Sequence, residues 1–461
     1  MTFSDALSRR TFLQRGAAMS LAGAAAPFAL NLAAMAEAAA QSSGSTDYKA
    51  LVCVFLQGGN DHGNTLIPYD DGSHAAYAAA RGGIALGRDS LAATALSNNL
   101  GGRQVAMAPS LAPLKPLYDA GRMAWLLNIG PLVQPTTLAQ YQARSVPLPA
   151  KLFSHNDQQS AWQSYGPEGT LAGWGGRSAD AVLSSNGRAS LTCINTSGNA
   201  VYLSGRTAVP YMVHPSGVPS LYALNGGLFG SATCEAAFRQ LVTQTSQAHV
   251  LASEHARVMA RAIDVNAQLQ TALGATPALA TAFDGANPLA NQLRMVAQLI
   301  AARDRLGMRR QVFFVSLPGF DLHDNLLSRH AVLLGQLASG LVSFQAALDE
   351  LNVARNVTTF TASDFGRTLS SNGDGSDHGW GGHHLVMGGA VRGTNLYGQL
   401  PNAGLGGESD TGQGRLLPTM GVQQLAGSLG RWMGVPSGDL NAINPGLASF
   451  NAGTLSSLLT A

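Results

Sequence analysis

Three segments of this chain are rich in apolar, β-branched and aromatic residues and empty into tips that carry acids, and this pairing constrains the fold more than any other feature. Lys49 to Leu56 (KALVCVFL) leads into Gln57-Gly58-Gly59-Asn60-Asp61-His62-Gly63-Asn64. Val312 to Leu317 (VFFVSL) leads into Pro318-Gly319-Phe320-Asp321-Leu322-His323-Asp324, and Asn356 to Thr361 (NVTTFT) ends in Asp364. Such runs read as buried strands. In open α/β sheets ligands bind beyond the carboxyl ends of the strands, which is where these acids would stand. If the chain stays extended past residue 318, Asp321 and His323 address one site together, because alternate residues of a strand share a face.

Between and after these strands the apolar spacing is helical over Cys234 to Leu273, Asn287 to Met308 and Leu326 to Leu351. A short helix begins at Leu111. Arg122 to Ile129 and Leu385 to Val391 read as further strands, and Pro418 to Met433 as a closing helix with proline near its start. Phe153 to Trp162 reads as a helix start with Ser154 or Asn156 as N-cap. Residues 84–104 form a polar excursion, and residues 175–235 alternate short strands with Gly/Ser/Asn turns. Strands alternating with helices predict an α/β fold, a three-layer α/β/α sandwich around a mostly parallel central sheet. A single domain over 41–461, with insertions around 84–104 and 175–310, follows from this pattern.

Residues 1–40 read as an export signal. Ser8-Arg9-Arg10-Thr11-Phe12-Leu13 has the twin-arginine form, Gly16 to Ala36 is weakly apolar and uncharged, and Ala38-Ala39-Ala40 offers a cleavage site. An uncleaved anchor is the competing reading, since about twenty residues suffice to span a bilayer; Pro27 and Asn31 count against it. The expected location is therefore periplasmic or secreted, with the twin-arginine translocase as partner during export. No later stretch reads as apolar enough to form a stable membrane span. A net charge of +2 without any basic run argues against a nucleic-acid partner. Of three cysteines, Cys53 lies inside an apolar strand, leaving Cys193 and Cys234 as one possible bridge.

The densest chemistry lies in Thr361 to Arg367 (TASDFGR) and Asp377 to His384 (DHGWGGHH), which hold three of the eleven histidines. Neither carboxylates nor imidazoles are easily buried unpaired, so their gathering beside glycines points to an ion or a charged substrate. Blander readings stand beside this one. Asp364 could be a turn acid paired with Arg367, the 377–384 loop a turn in which His378 and Trp380 pack, and His155 a supporting residue or simply exposed.

Taken together, FLQGGNDHGNTLIPY (55–69), FSHNDQQSAW (153–162), GWGGR (173–177), GFDLHD (319–324), SDFGRT (363–368), DHGWGGHHLVMGGAVRG (377–393) and GRLLPTMGVQQLAGSLGRWMG (414–434) resemble the twin-arginine-exported family called domain of unknown function 1501, within the alkaline phosphatase-like and sulfatase superfamily. The resemblance implies an exported metal-dependent hydrolase of phosphate or sulfate esters. One or two divalent ions, zinc or manganese, would be held by Asp61, Asp321, His323, Asp364 and His378. Ser154 would be the nucleophile of an in-line displacement on a small anionic ester, with Arg367 gripping the anion. Two departures follow from the residues: Phe365 occupies the histidine position of the superfamily's Asp-His-Gly signature, and the Asp321-to-His323 spacing is short. His383 or His384 is then expected to supply the missing ligand. The alternative is a degenerate, non-catalytic member acting as a periplasmic ligand- or partner-binding protein.

Overall fold

Strand β1 (Lys49–Gln57) is apolar along its length because both its faces are covered. In the computed structural model, which describes residues 48–198, 200–218, 221–224, 228–246 and 249–460, its alternate residues enter two different cores. Ala50, Val52, Val54 and Leu56 pack into one, and Leu51, Cys53 and Phe55 into the other. The expected signal segment 1–40 lies outside the described residues.

The central sheet also contains β2 (Met123–Gly130), β3 (Cys193–Asn195), β4 (Tyr211–Met212), β5 (Arg310–Pro318) and β6 (Val357–Ser363). A separate antiparallel pair, β7 (Arg367–Ser371) and β8 (Ser376–His378), follows β6. Strands β9 (Gly382–Met387), β10 (Leu396–Gly398) and β11 (Met420–Gly421) complete the nine-stranded sheet, ordered β10-β2-β9-β6-β1-β5-β3-β4 with β11 beside β2. Every pair is parallel except those made by β9, which runs antiparallel to β2 and β6. The register sets Leu56 beside Leu317 and Ser363, so β1, β5 and β6 end on one edge. Because β9 is reversed, it starts at that same edge and brings the 378–382 segment there.

Eight helices bear on the argument: α1 (Asp71–Arg81), α2 (His155–Ser164), α3 (Trp174–Val182), α4 (Ala232–Thr243), α5 (Val250–Gly274), α6 (Pro288–Ala301), α7 (Leu326–Glu350) and α8 (Val422–Met433). Leu289 and Leu293 of α6 and Leu334, Leu341 and Phe344 of α7 cover one face of the sheet. Leu425 and Leu429 of α8, with Trp162 and Trp174, cover the other. Each such side chain, taken fully out of water, stabilises the fold by about 1.5–3 kcal/mol.

Several expectations need correction. Residues 174–182 are helical rather than strand and turn. Gly175 and Gly176 sit there because a Cβ would meet the Tyr202 ring and the Ser204 backbone, and this packing requirement hides the helical signal. The single helix expected from 234 to 273 is broken into α4 and α5, and the closing helix starts at Val422, after β11. All three cysteines are free. Cys193 is buried in the core beneath the sheet, whereas Cys234 lies on α4, a helix without buried residues. Helix α7 is long and apolar enough to cross a membrane by length and composition alone, a test that the core helix of a soluble protein also passes. Half of its most apolar window is buried, as its packing on α6 requires.

Candidate metal centre

Asp364 follows β6 directly and is wholly buried. Its Oδ1 accepts the Gly58 N–H at 3.1 Å, and its Oδ2 accepts Gln159 Nε2–H at 2.9 Å and lies 2.7 Å from His155 Nδ1. His155 and Gln159 reach it together because they are four residues apart on α2 and therefore share a face. Gly58, at φ 113°, has no room for a side chain: a Cβ would stand 2.3 Å from the Asp321 nitrogen.

Asp321, three residues past the end of β5, is open to solvent, its side chain 45% exposed. Arg367 Nη1 donates to its Oδ1 at 2.7 Å. Three imidazoles surround the same carboxylate. His323 Nε2 and His378 Nε2 lie 3.1 and 3.4 Å from Oδ1, and His155 Nε2 lies 3.5 Å from Oδ2.

The opposite nitrogens of these rings fix their tautomers. His155 Nδ1 faces Asp364, His323 Nδ1 lies 3.2 Å from Asp377 Oδ1, and His378 Nδ1 lies 2.8 Å from the Phe153 carbonyl. Carboxylates and carbonyls only accept, so each neutral ring carries its proton on Nδ1 and keeps a lone pair on Nε2. Three lone pairs thus converge on one carboxylate, and those of His323 and His378 are 3.0 Å apart. Facing lone pairs at that distance repel unless a cation lies between them. Imidazole nitrogens with a carboxylate, each ring anchored through its other nitrogen, form a donor set that suits zinc and similar divalent ions. The candidate ligand atoms of His155, Asp321 and His378 all lie within 4.8 Å of one another.

The electrostatics fit a site charged on its acidic side. Burial opposes ionisation of Asp321, but the hydrogen bond and charge of Arg367 hold its carboxyl below the usual range. The Asp364 hydrogen bond raises the pKa of His155, whereas burial, the largest influence on His378, lowers that of the latter.

Asp321, His323 and His378 lie together, and Asp364 is linked to them through His155. Asp61 does not face them: its carboxylate is engaged by Arg81 Nη2 at 2.6 Å, Ser376 Oγ at 2.9 Å and the Asn64 N–H at 3.0 Å. Burial resists its charge, but Arg81, with help from His330 and His62, holds its pKa far below the usual value. Arg367 is wholly buried and pairs with Asp321, not Asp364, and its remaining bonds go to Gly58 O and to Ser376. A continuous polar chain therefore runs Arg81, Asp61, Ser376, Arg367, Asp321.

His383 and His384 do not take the place of the histidine absent at Phe365. They sit in succession on β9, so their rings point to opposite faces of a sheet buried on both. His383 Nδ1 accepts the Asn128 N–H at 3.1 Å, and His384 Nδ1 lies 3.2 Å from Thr361 Oγ1 with its ring against Trp162. The imidazole that meets Asp364 is His155. The Phe365 ring packs against His155 and His378, with centroids 4.9 and 4.7 Å away. Ser154 occupies the N-cap position of α2, but its hydroxyl makes no cap bond and donates to Asp157 Oδ2 at 3.0 Å. Sequence reasoning assigned no role to Gln159, Ser376 or Asp377; only the position of Gln159 one helical turn after His155 could have signalled its part.

The chain belongs to the family described as "Protein of unknown function (DUF1501)", whose model matches residues 48–423. No curated protein matches it. Among solved structures it is similar to one titled "Crystal structure of Ps i-CgsB in complex with k-i-k-neocarrahexaose", at 9% identity and a TM-score of 0.35, over 85% of this chain and 73% of that one. A likeness that low carries no argument about fold or activity.

Proposed function

We propose that this chain is an exported, metal-dependent hydrolase of small phosphate or sulfate esters on an alkaline phosphatase-like α/β/α sandwich. One divalent ion, zinc or manganese, would be held by His155, His378 and Asp321, with His323 beside them. The observation that carries this reading is the convergence of three Nε2 lone pairs on Asp321, each ring anchored at Nδ1 by Asp364, Asp377 or the Phe153 carbonyl. Such an ion supplies Lewis acidity, polarising an ester oxygen and making water a better nucleophile. The chain supplies orientation. Asp364 and Asp377 fix two rings, and Arg367 ties down Asp321 Oδ1 while Oδ2 stays turned toward His155. Water, rather than Ser154, is the attacking group in this reading, because the Ser154 hydroxyl is committed to Asp157. The twin-arginine form of residues 8–13 supports export.

The test is metal analysis of the folded protein combined with assays on an aryl phosphate, a phosphodiester and an aryl sulfate. The expected result is one ion per chain and turnover of at least one ester that a chelator abolishes and zinc or manganese restores. Absence of bound metal would overturn the reading. Metal without turnover on any of the three would leave a binding protein.

A further inference from the structure

Beyond the ion itself, an anionic ester is held more tightly by a side-chain cation that can touch it, and the guanidiniums nearest the site are mostly unable to do so. Arg367 is buried and bonded to Asp321, Gly58 and Ser376. Arg81 is buried on Asp61 and the carbonyls of Thr368 and Leu369. Arg415 differs. It is only partly buried, its Nε donates to the His378 carbonyl at 2.8 Å, and its Cζ lies 5.3 Å from the centre of the Phe153 ring. Nη1 makes one long bond, 3.4 Å, to the Gly412 carbonyl, and Nη2 makes no hydrogen bond to any described residue.

Phe153 and His378 are the two residues joined by the bond that orients one imidazole of the centre, so Arg415 is fastened beside the metal-ligand candidates with one edge free. Resting on the hydrolase reading above, we infer that Arg415 is the specificity-determining residue that receives the negatively charged, non-reacting oxygens of the ester. A planar guanidinium with a free edge suits two oxygens of one tetrahedral group. The Phe153 ring and the His378 carbonyl hold the guanidinium in place.

Dimethyl phosphate and trimethyl phosphate differ by one negative charge and serve as probes. Each is titrated calorimetrically into the parent chain, Arg415→Gln and Arg415→Lys, with and without zinc. The expected result is that Arg415→Gln weakens dimethyl phosphate binding roughly tenfold to a hundredfold, the value of hydrogen bonds to a charged group. Trimethyl phosphate binding stays unchanged, and Arg415→Lys recovers part of the loss. Zinc stoichiometry and melting temperature measured on each variant separate this effect from unfolding or loss of the centre. Equal dimethyl phosphate affinity in the parent and Arg415→Gln, or none in the parent, overturns the assignment whatever the metal content. A parent chain that binds no zinc, yet loses dimethyl phosphate on Arg415→Gln, sinks the hydrolase reading and leaves Arg415 as an anion site.

Discussion

His155 Nδ1 lies 2.7 Å from Asp364 Oδ2, so the first residue of helix α2 is bonded to the residue just past the end of strand β6. The contact turns the other ring nitrogen toward Asp321 and couples the tilt of α2 to the edge of the sheet. Gln159 on α2 and the Gly58 N–H hold the same carboxylate from two further directions.

Asp364→Asn is expected to lower zinc affinity by about ten- to a hundredfold, the usual effect of removing a partner that orients a ligating imidazole. His155→Ala should lower it further, because it removes a ligand outright. Competition with a chromogenic chelator measures both, and an Asp364→Asn affinity equal to that of the parent would remove His155 from the centre.

Arg81 and Asp61 are a buried ion pair, both side chains at or near zero exposure. Arg81→Met strands the Asp61 carboxylate with only Ser376 and the Asn64 N–H, and the expected loss is about 3–5 kcal/mol in urea denaturation. Adding Asp61→Asn should recover part of it, since the amide carries no charge to strand. A single variant as stable as the parent would mean that water reaches this pair.

Acid should destabilise the fold through buried histidines before it reaches the carboxylates. Burial, the dominant influence on each, holds His62 and His330 at about 4 and His384 at about 3. An unfolded histidine titrates near 6.5. Between these values the unfolded chain binds more protons than the folded one, so stability rises with pH and falls on acidification, by up to about 1.4 kcal/mol per pH unit for each group. Asp61 acts lower down: its depressed pKa stabilises the fold above the ordinary carboxylate pKa, and this is lost as pH falls toward the folded value. Urea midpoints should drop steadily below about pH 6.5; His155, whose pKa is raised, acts in the opposite sense, its contribution being lost as pH rises above about 6.5 through its folded value. A flat profile down to about pH 5 would contradict the burial of these rings.

The fold was legible where one physical requirement acted alone. The apolar runs of β1, β5 and β6 announced strands covered on both faces, and their tips placed Asp321 and Asp364 at the edge where the structure has them. The α3 segment misled because Gly175 and Gly176 serve close packing against Tyr202 and Ser204, which local propensity does not encode. In the site, Asp321 and His323 meet, but not by the strand alternation that their spacing suggested, because the strand ends at Pro318. The part played by His155 was not legible, because nothing local tells a ring at a helix start that it will meet a residue 209 positions away. His383 and His384 misled in the opposite way: one of them was expected to replace the histidine missing at Phe365, whereas both are already part of β9.

Ser154 gives the sharpest test of how an ester would be attacked. Its hydroxyl donates to the buried Asp157, whose other contacts are the Glu168 N–H at 3.4 Å and Lys151 Nζ at 3.6 Å. Ser154→Ala removes one hydrogen bond to a charged group, worth about 1.5–3 kcal/mol, and some of this is offset by water reaching Asp157 from the partly open Ser154 side. Metal content should be unchanged, because no metal-ligand candidate bonds to this hydroxyl. Turnover of whichever ester the chain accepts should then stay close to that of the parent, because water makes the attack. Initial rates with metal analysis on the same samples decide the matter. A collapse of turnover at full metal content would show that Ser154 leaves Asp157 during the reaction and is itself the nucleophile.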